Sequence, residues 1–271
     1  MGFFNRNFDR PGPGVSKDAP RKKGLPRFFE LLGRDIGSFF KANLLCAAAA
    51  LPGALMVSFG LSCLNVLITL LGGVVGGMLL APFYAGMHDT VLRALRDEPG
   101  YWWHVYKKAL KNNAKQSLAP GALVGLLVSG QILALWMVLK SGMVLTLPVC
   151  ILLGINLLLT GMVTPFLWSQ LVLMDMSFGL LLKNSLLFAF ASAPRALLLA
   201  LLQVAYWAAM LLLMPFTVFW VALFGFAFIV LILMMITFPV LDKTFHLEEQ
   251  LIARRQEQLD EALARDEAGT N

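Results

Sequence analysis

The sequence predicts an all-α, polytopic bundle of six membrane-spanning helices, with both termini on one side of the membrane. Of its 271 residues, 58% are hydrophobic and only 14% are charged, and the mean hydropathy is +0.74. A soluble domain has about 45–50% apolar and about 25% charged residues. So few charges cannot cover so much apolar surface in water, which excludes a soluble enzyme, a disordered chain and a disulfide-rich scaffold. Long uncharged stretches and a one-sided distribution of basic residues complete the prediction.

The uncharged stretches set the number of spans. Residues 42–87 and 196–241 carry no charge over 46 residues each. One helix of that length would measure roughly 69 Å against a hydrocarbon core of about 30 Å, so each stretch must contain two spans. The stretches 116–139 and 141–174 supply one span each. The predicted spans are 44–62, 65–87, 119–139, 143–173, 196–214 and 218–240, with turns inside 58–65 and near Pro215.

The basic residues give the orientation. With six spans, the two termini and the loops 88–118 and 174–195 lie on the same side. That side holds 21 of the 22 Lys and Arg residues, and only Lys140 falls on the other. Because cytoplasmic loops carry the excess of Lys and Arg, both termini are expected in the cytoplasm.

Four segments follow from this pattern. The N-terminal segment is rich in Pro, Gly and basic residues, which is typical of a flexible tail. The next segment has apolar residues at helical spacing and predicts an amphipathic helix lying in the membrane interface. The segments are a flexible basic cytoplasmic tail (1–26), an interfacial helix (27–43), the transmembrane domain (44–240) and a charged, helical cytoplasmic tail (241–271).

The loop 88–118 contains a turn signal, Asp97-Glu98-Pro99-Gly100, followed by a segment that is both aromatic and basic. Rings at the membrane boundary with ammonium groups beside them are typical of contact with lipid headgroups. Nucleic acid is not expected as a partner, because the segment is tethered between two spans. The residues predicted to contact headgroups or a protein partner are Tyr101, Trp102, Trp103, Lys107, Lys108 and Lys111.

Few polar side chains lie inside the predicted spans, and none of them is charged. Gln131, Asn156 and Gln203 are candidates to line a path for an uncharged solute. The alternative is that such groups hydrogen-bond between helices, and this alternative is the more common one. The absence of charge argues against proton relays, voltage sensors and ion-coupled transport.

The second span contains the sequence Gly72-Gly73-Val74-Val75-Gly76-Gly77. It holds two overlapping GxxxG pairs, which remove side chains and allow helices to approach closely. We expect Gly72, Gly73, Gly76 and Gly77 to mediate helix packing, within the bundle or between protomers.

No pattern indicates catalysis or a cofactor. The sequence has no nucleophile elbow, no phosphate-binding loop and no metal-ligand spacing, and its three cysteines lie in or beside apolar spans. We therefore expect no enzyme activity, no cofactor and no metal, with the lipid bilayer as the first partner.

The order of several segments resembles the YesL-type family of bacterial membrane proteins, a domain of unknown function. The matching segments are Phe28-Phe29-Glu30-Leu31-Leu32-Gly33-Arg34-Asp35, Lys41-Ala42-Asn43-Leu44-Leu45, Leu51-Pro52, Tyr101-Trp102-Trp103 with Lys107 to Gln116, and Lys183-Asn184-Ser185-Leu186-Leu187 before Pro194-Arg195. They cover most of the chain from 28 to 241, and their order is more specific than any one of them. The resemblance implies a location in the bacterial plasma membrane. Family members often lie beside genes for carbohydrate ABC transporters, which implies an accessory role in sugar uptake.

Three hypotheses for function remain open at this point. The first is a non-enzymatic membrane protein accessory to carbohydrate transport, with transporter subunits or a second copy of itself as partners. The second is a permease for an uncharged small solute. The third is a structural or lipid-organising membrane protein.

Overall fold

The computed structural model describes residues 21–98, 100–141, 146–250 and 253, and these ranges contain helices and no strand. Six helical stretches are long and apolar enough to cross a membrane, which confirms the predicted all-α bundle of six spans. The helices are α1 Leu25–Ser62, α2 Val66–Leu95, α3 Trp102–Ser141, α4 Leu147–Leu173, α5 Phe178–Ala191, α6 Ala193–Leu212, α7 Val218–Trp220 and α8 Phe226–Phe245, with a π-helical segment at Val221–Gly225.

The predicted interfacial helix 27–43 and the first span 44–62 form one continuous helix, α1. No proline lies between Arg27 and Leu51, so the backbone hydrogen bonds can continue from one segment into the next. For the same reason α2 extends beyond its predicted end at residue 87, and α3 begins well before its predicted span. Residues 1–20 of the predicted N-terminal tail 1–26 lie outside the described residues. The part of the predicted C-terminal tail that follows Gln250 also lies outside them, except Ala253.

The turn between α1 and α2 falls inside the predicted range 58–65. The side chain of Asn65 caps α2 by accepting a hydrogen bond from the backbone N–H of Ile68 at 3.0 Å. The turn between α6 and α7 contains Pro215, also as predicted. The 14-residue helix α5 measures about 21 Å, too short for a span.

The glycines of α2 pack against both of its neighbours in sequence. Gly76 faces α1, where a Cβ added to Gly53 would lie only 2.4 Å from the Gly76 Cα atom. On another face of α2, a Cβ on Gly77 would lie 2.1 Å from the carbonyl oxygen of Gly121 in α3. Gly72 and Gly73 repeat these contacts one turn away, the first against α1 and the second against α3. All four glycines therefore act in contacts within this chain.

The last span is the most enclosed of the six. Half of the residues in the most apolar part of Val218–Phe245 are buried, against 6% in the corresponding part of α3. Helix α8 contacts α1, α2, α4 and α6. It therefore packs against four of the other five spans.

Candidate functional site

Three distant parts of the chain meet at one end of the bundle, which we call the charged end. Arg21 lies before α1, Asp97 lies in the turn between α2 and α3, and Glu248 lies after α8. The Arg21 guanidinium is 3.1 Å from an Asp97 carboxylate oxygen and 2.6 Å from a Glu248 carboxylate oxygen. The start of the described chain, the first long loop and the end of α8 are therefore on the same side of the bundle.

Asp97 is the centre of this ionic cluster. Arg27, which is 5% exposed, donates to both Asp97 carboxylate oxygens at 2.8 Å. Arg34 donates to one of the same oxygens and also, at 2.8 Å, to the carbonyl oxygen of Ala94. Partial burial would by itself raise the pKa of Asp97, but the hydrogen bonds from Arg34 and Arg27 hold this pKa below its usual value.

A second ionic group lies beside the first. Arg93 is 2.9 Å from the Asp89 carboxylate, one helical turn earlier in α2, and 3.1 Å from the Glu98 carboxylate. Arg96 lies 2.5 Å from the other oxygen of Glu98. These ion pairs fix the end of α2 and the turn that follows it.

This cluster is not predicted by the sequence pattern. The basic residues indicate only topology, and Asp97 and Glu98 indicate only a turn. One usable signal was present, because Arg27 and Arg34 are seven residues apart and therefore share a face of α1. The carboxylate that they share lies more than sixty residues away, and no local pattern identifies it.

Between the two ionic groups is a cavity of about 410 Å³. Helix α1, the end of α2, the turn and the start of α3 all contribute to its wall. The polar and aromatic lining residues are Arg34, Asp35, Ser38, Thr90, Arg93, Asp97, Glu98, Trp102 and Tyr106. Its volume lies in the range of small-molecule sites, about 300–1,000 Å³.

The first part of α3 contacts the ends of the first two spans at the charged end. The Lys41 ammonium, just before the first predicted span, lies 4.6 Å from the centre of the Trp102 ring. The Tyr106 hydroxyl donates to the carbonyl oxygen of Phe83, near the end of the second predicted span, at 3.2 Å. Residues 102–106 are therefore close to the depth at which these two spans end.

Ten residues later, the same helix contacts the end of the fourth span. The Gln116 side-chain amide donates to the carbonyl oxygens of Met174 at 3.2 Å and Met176 at 2.9 Å. Both ends of the segment 102–116 thus lie beside span ends, so this segment runs across the charged end. Pro120 follows within α3, at a position where proline permits a helix to bend.

The residues predicted to contact headgroups or a partner divide into two groups. Tyr101 is 78% exposed and Trp103 is 49% exposed. Lys107, Lys108 and Lys111 are exposed as well, on the side of the segment opposite the buried Tyr106. Trp102 differs, because it is partly buried, stacks on Tyr106 and carries the Lys41 contact.

The three candidate solute-path residues do not form one set. Gln131 in α3 donates to the Asn156 side-chain oxygen in α4 at 2.8 Å and to Thr160 at 3.2 Å. Gln203 in α6 pairs instead with Thr164, with their side-chain atoms 3.4 Å apart. In both places the polar groups bond to each other between helices, which is the alternative weighed in the sequence analysis.

Asn43 is a buried polar residue to which the sequence analysis gave no role. Its amide nitrogen donates to the carbonyl oxygens of Val221 at 3.0 Å and Ala222 at 2.7 Å. Its amide oxygen accepts from the backbone N–H groups of Phe226 at 2.8 Å and Ala227 at 3.0 Å. These carbonyls and N–H groups are five residues apart, the spacing at which a π-helix pairs them. The Asn43 side chain of α1 therefore inserts between the backbone carbonyls and N–H groups of the π-helical segment in the last span.

Within the described ranges, no three His, Cys, Asp or Glu side chains are grouped as a metal site requires. Cys46 is buried, whereas Cys63 and Cys150 are exposed, and all three are free thiols. The polar groups that line the cavity at the charged end are therefore its ion pairs, the Trp102 indole and the hydroxyls of Ser38, Thr90 and Tyr106.

Comparisons with protein-family models, with curated proteins and with solved structures find no match. The resemblance to the YesL-type family therefore stays a prediction from the sequence. The structure itself establishes a multi-pass α-helical protein suited to a membrane.

Proposed function

We propose that this chain is a non-enzymatic protein of the bacterial plasma membrane that assists a carbohydrate ABC transporter, with both termini in the cytoplasm. It acts by binding the transporter's membrane-spanning subunits. The resemblance described above suggests the transporter class, and the count of basic residues suggests the orientation. The charged end would then face the cytoplasm.

The pairing of the polar side chains within the spans carries the proposal. Gln131 bonds to Asn156, and Gln203 bonds to Thr164, so these groups stabilise helix contacts and leave few partners for a passing solute. This favours an accessory protein over a permease. The surface available to a partner is the exposed basic and aromatic side of α3, together with the apolar outer faces of the spans.

Affinity purification from membranes in a mild detergent tests the proposal. The full-length chain should recover membrane subunits of an ABC transporter in stoichiometric amount. A variant with Lys107, Lys108 and Lys111 replaced by glutamine should recover less, because it lacks the exposed charges of α3. A matched control replaces Lys22 and Lys23, which are also exposed but precede α1.

The same preparation separates the proposal from its main alternative. Reconstituted into vesicles by itself, the protein should not accelerate the uptake of neutral sugars. Uptake by the protein alone would establish a permease. Recovery of no transporter subunit under gentle conditions would refute the accessory role.

A further inference from the structure

Four exposed lysines lie on one side of the first part of α3, and we call this side the lysine face. At 3.6 residues per turn they fall within about 100° of the helix circumference, opposite the buried Tyr106. They are Lys107, Lys108, Lys111 and Lys115. None of them forms an ion pair or a hydrogen bond with a residue in the described ranges. The sequence has no Asp or Glu between Glu98 and Asp175, so α3 itself supplies no carboxylate to these four charges.

The C-terminal tail starts beside the turn that leads into α3. Helix α8 ends at His246, whose backbone is left-handed, and Leu247 after it is buried in the hydrophobic core. Glu248 then pairs with Arg21, and the same guanidinium pairs with Asp97 in the turn before α3. These contacts fix the start of the tail at the same end of the bundle as the lysine face.

The rest of this tail has the opposite charge to the lysine face. Residues 256–271, which lie outside the described ranges, contain five acidic residues and one basic residue, so their net charge is −4. We call them the acidic segment. Four of the acids share one side at helical spacing, within about a third of the circumference. They are Glu257, Asp260, Glu261 and Glu267.

The acidic segment can reach the lysine face. Glu257 follows Glu248 by nine residues, which span about 14 Å as a helix and up to about 30 Å when extended. Lys107 is five residues into α3, about 8 Å from its start, and the lysine face covers about 12 Å from there. Because the two groups belong to one chain, their effective concentration is about millimolar, which favours the tail over a free partner.

From these observations we propose that the acidic segment 256–271 docks on the lysine face of α3 in the same chain. Its carboxylates pair with ammonium groups that no described residue pairs with. The lysine face is opposite the side of α3 that packs on the bundle, which favours the tail over the bilayer as its occupant. The proposal goes beyond the proposed function and does not rest on it. A transporter subunit that binds the same lysines would have to displace the tail.

Zero-length cross-linking of the full chain in detergent tests the contact. A carbodiimide joins a lysine amine directly to a carboxylate, and mass spectrometry identifies the joined peptides. Cross-links between the lysine face and the acidic segment are expected at 0.1 M salt. Their yield should fall about fivefold at 1 M, where the screening length is only about 3 Å. Mixing isotope-labelled with unlabelled protein identifies links between two copies. No link, or links only between copies, would overturn the proposal.

Neutralising the acidic segment should uncover the lysines. The combined variant Glu257→Gln, Asp260→Asn and Glu261→Gln should raise the rate at which the lysine face is acetylated about fivefold, because exposed ion pairs are individually weak but several together shift an equilibrium about tenfold. Lys22 and Lys23 are the internal control, since they are exposed before α1 and their rate should not change. Unchanged acetylation of the lysine face in this variant would contradict the docking.

Exchanging the charges tests whether the contact is ionic. Reversing three lysines, as K107E, K108E and K111E, should lower the yield of cross-links from Lys115 to the acidic segment about fivefold. Reversing the same three tail acids to lysine in addition should restore the links between the two segments. If the double reversal does not restore them, the two segments are not partners.

Nanodiscs distinguish the tail from the bilayer as the occupant of the lysine face. The cross-linking is repeated in discs of phosphatidylcholine and in discs that contain about a third phosphatidylglycerol, whose anionic headgroups attract lysines. The yields in the two discs should agree within about twofold if the tail covers the lysines. Loss of the cross-links in the anionic discs would assign the lysine face to lipid headgroups and overturn the proposal.

Discussion

Replacing Asn43 by leucine tests whether the amide inserted into the last span stabilises the fold. Leucine has the same number and branching of side-chain heavy atoms as asparagine, so it is the closest apolar match in shape for this fully buried position. All four hydrogen bonds to the segment 221–227 are lost. The two carbonyls and two N–H groups must then pair with one another or remain unsatisfied.

The expected loss follows from the number of bonds. Hydrogen bonds between membrane helices average about 0.6 kcal/mol, and typical intramolecular hydrogen bonds in proteins contribute about 1 kcal/mol. For four bonds, the free energy of unfolding should therefore fall by about 2–4 kcal/mol. The lower value applies if the segment 221–225 closes its own backbone pairs after the change.

Equilibrium unfolding by SDS in mixed micelles, followed by tryptophan fluorescence, measures this loss. Asn112→Leu is the matched control, because Asn112 is exposed on α3 and its replacement should change stability by less than about 0.5 kcal/mol. If Asn43→Leu unfolds at the same SDS fraction as wild type, the inserted amide does not stabilise the last span. An equal loss in Asn112→Leu would show that the added apolar side chain, not the lost bonds, is responsible.

Three further predictions follow from the fold and the charged end. Gly77→Ala should lower the free energy of unfolding by about 1–3 kcal/mol, because its Cβ would meet the backbone of α3, whereas Gly154→Ala, with open space around it, should not. The lowered pKa of Asp97 stabilises the folded state above about pH 4, and this contribution is lost as the pH falls. The melting temperature should therefore fall more steeply between pH 6 and pH 3 in wild type than in Asp97→Asn. Parallel plots of melting temperature against pH for the two proteins would contradict this. In intact cells, a membrane-impermeant maleimide should label Cys63, in the turn far from the charged end, but not a cysteine replacing Tyr101. The reverse pattern would show that the charged end is outside.

The spans could be predicted from the sequence because they depend on a local property. A run without charges, such as 42–87, has to be placed in the bilayer whatever the rest of the chain does. The boundaries of the helices were harder to predict from the sequence. Whether the interfacial segment 27–43 continues into the first span depends on unbroken backbone hydrogen bonding, and the polarity pattern does not report this.

The candidate site depended on contacts between distant residues. Arg27 meets Asp97 seventy residues later, and Asn43 meets Phe226 at a separation of 183 residues. Such pairs are set by how the helices pack, and a single sequence carries no signal for them. The sequence favours hydrogen bonds between helices for Gln131 and Asn156 over a solute path, but it does not say which residues pair.

The bond between Asn43 and the last span has a consequence for biosynthesis. The glycine contacts join α1, α2 and α3, which are neighbours in sequence, so these helices can assemble as soon as the third has left the ribosome. The Asn43 amide can form its hydrogen bonds only after residues 221–227 have been synthesised. Asn43 lies two residues after Lys41, at the edge of the first span, where water can satisfy the amide during this interval. A chain truncated before Val221 therefore lacks all four hydrogen-bond partners of this amide.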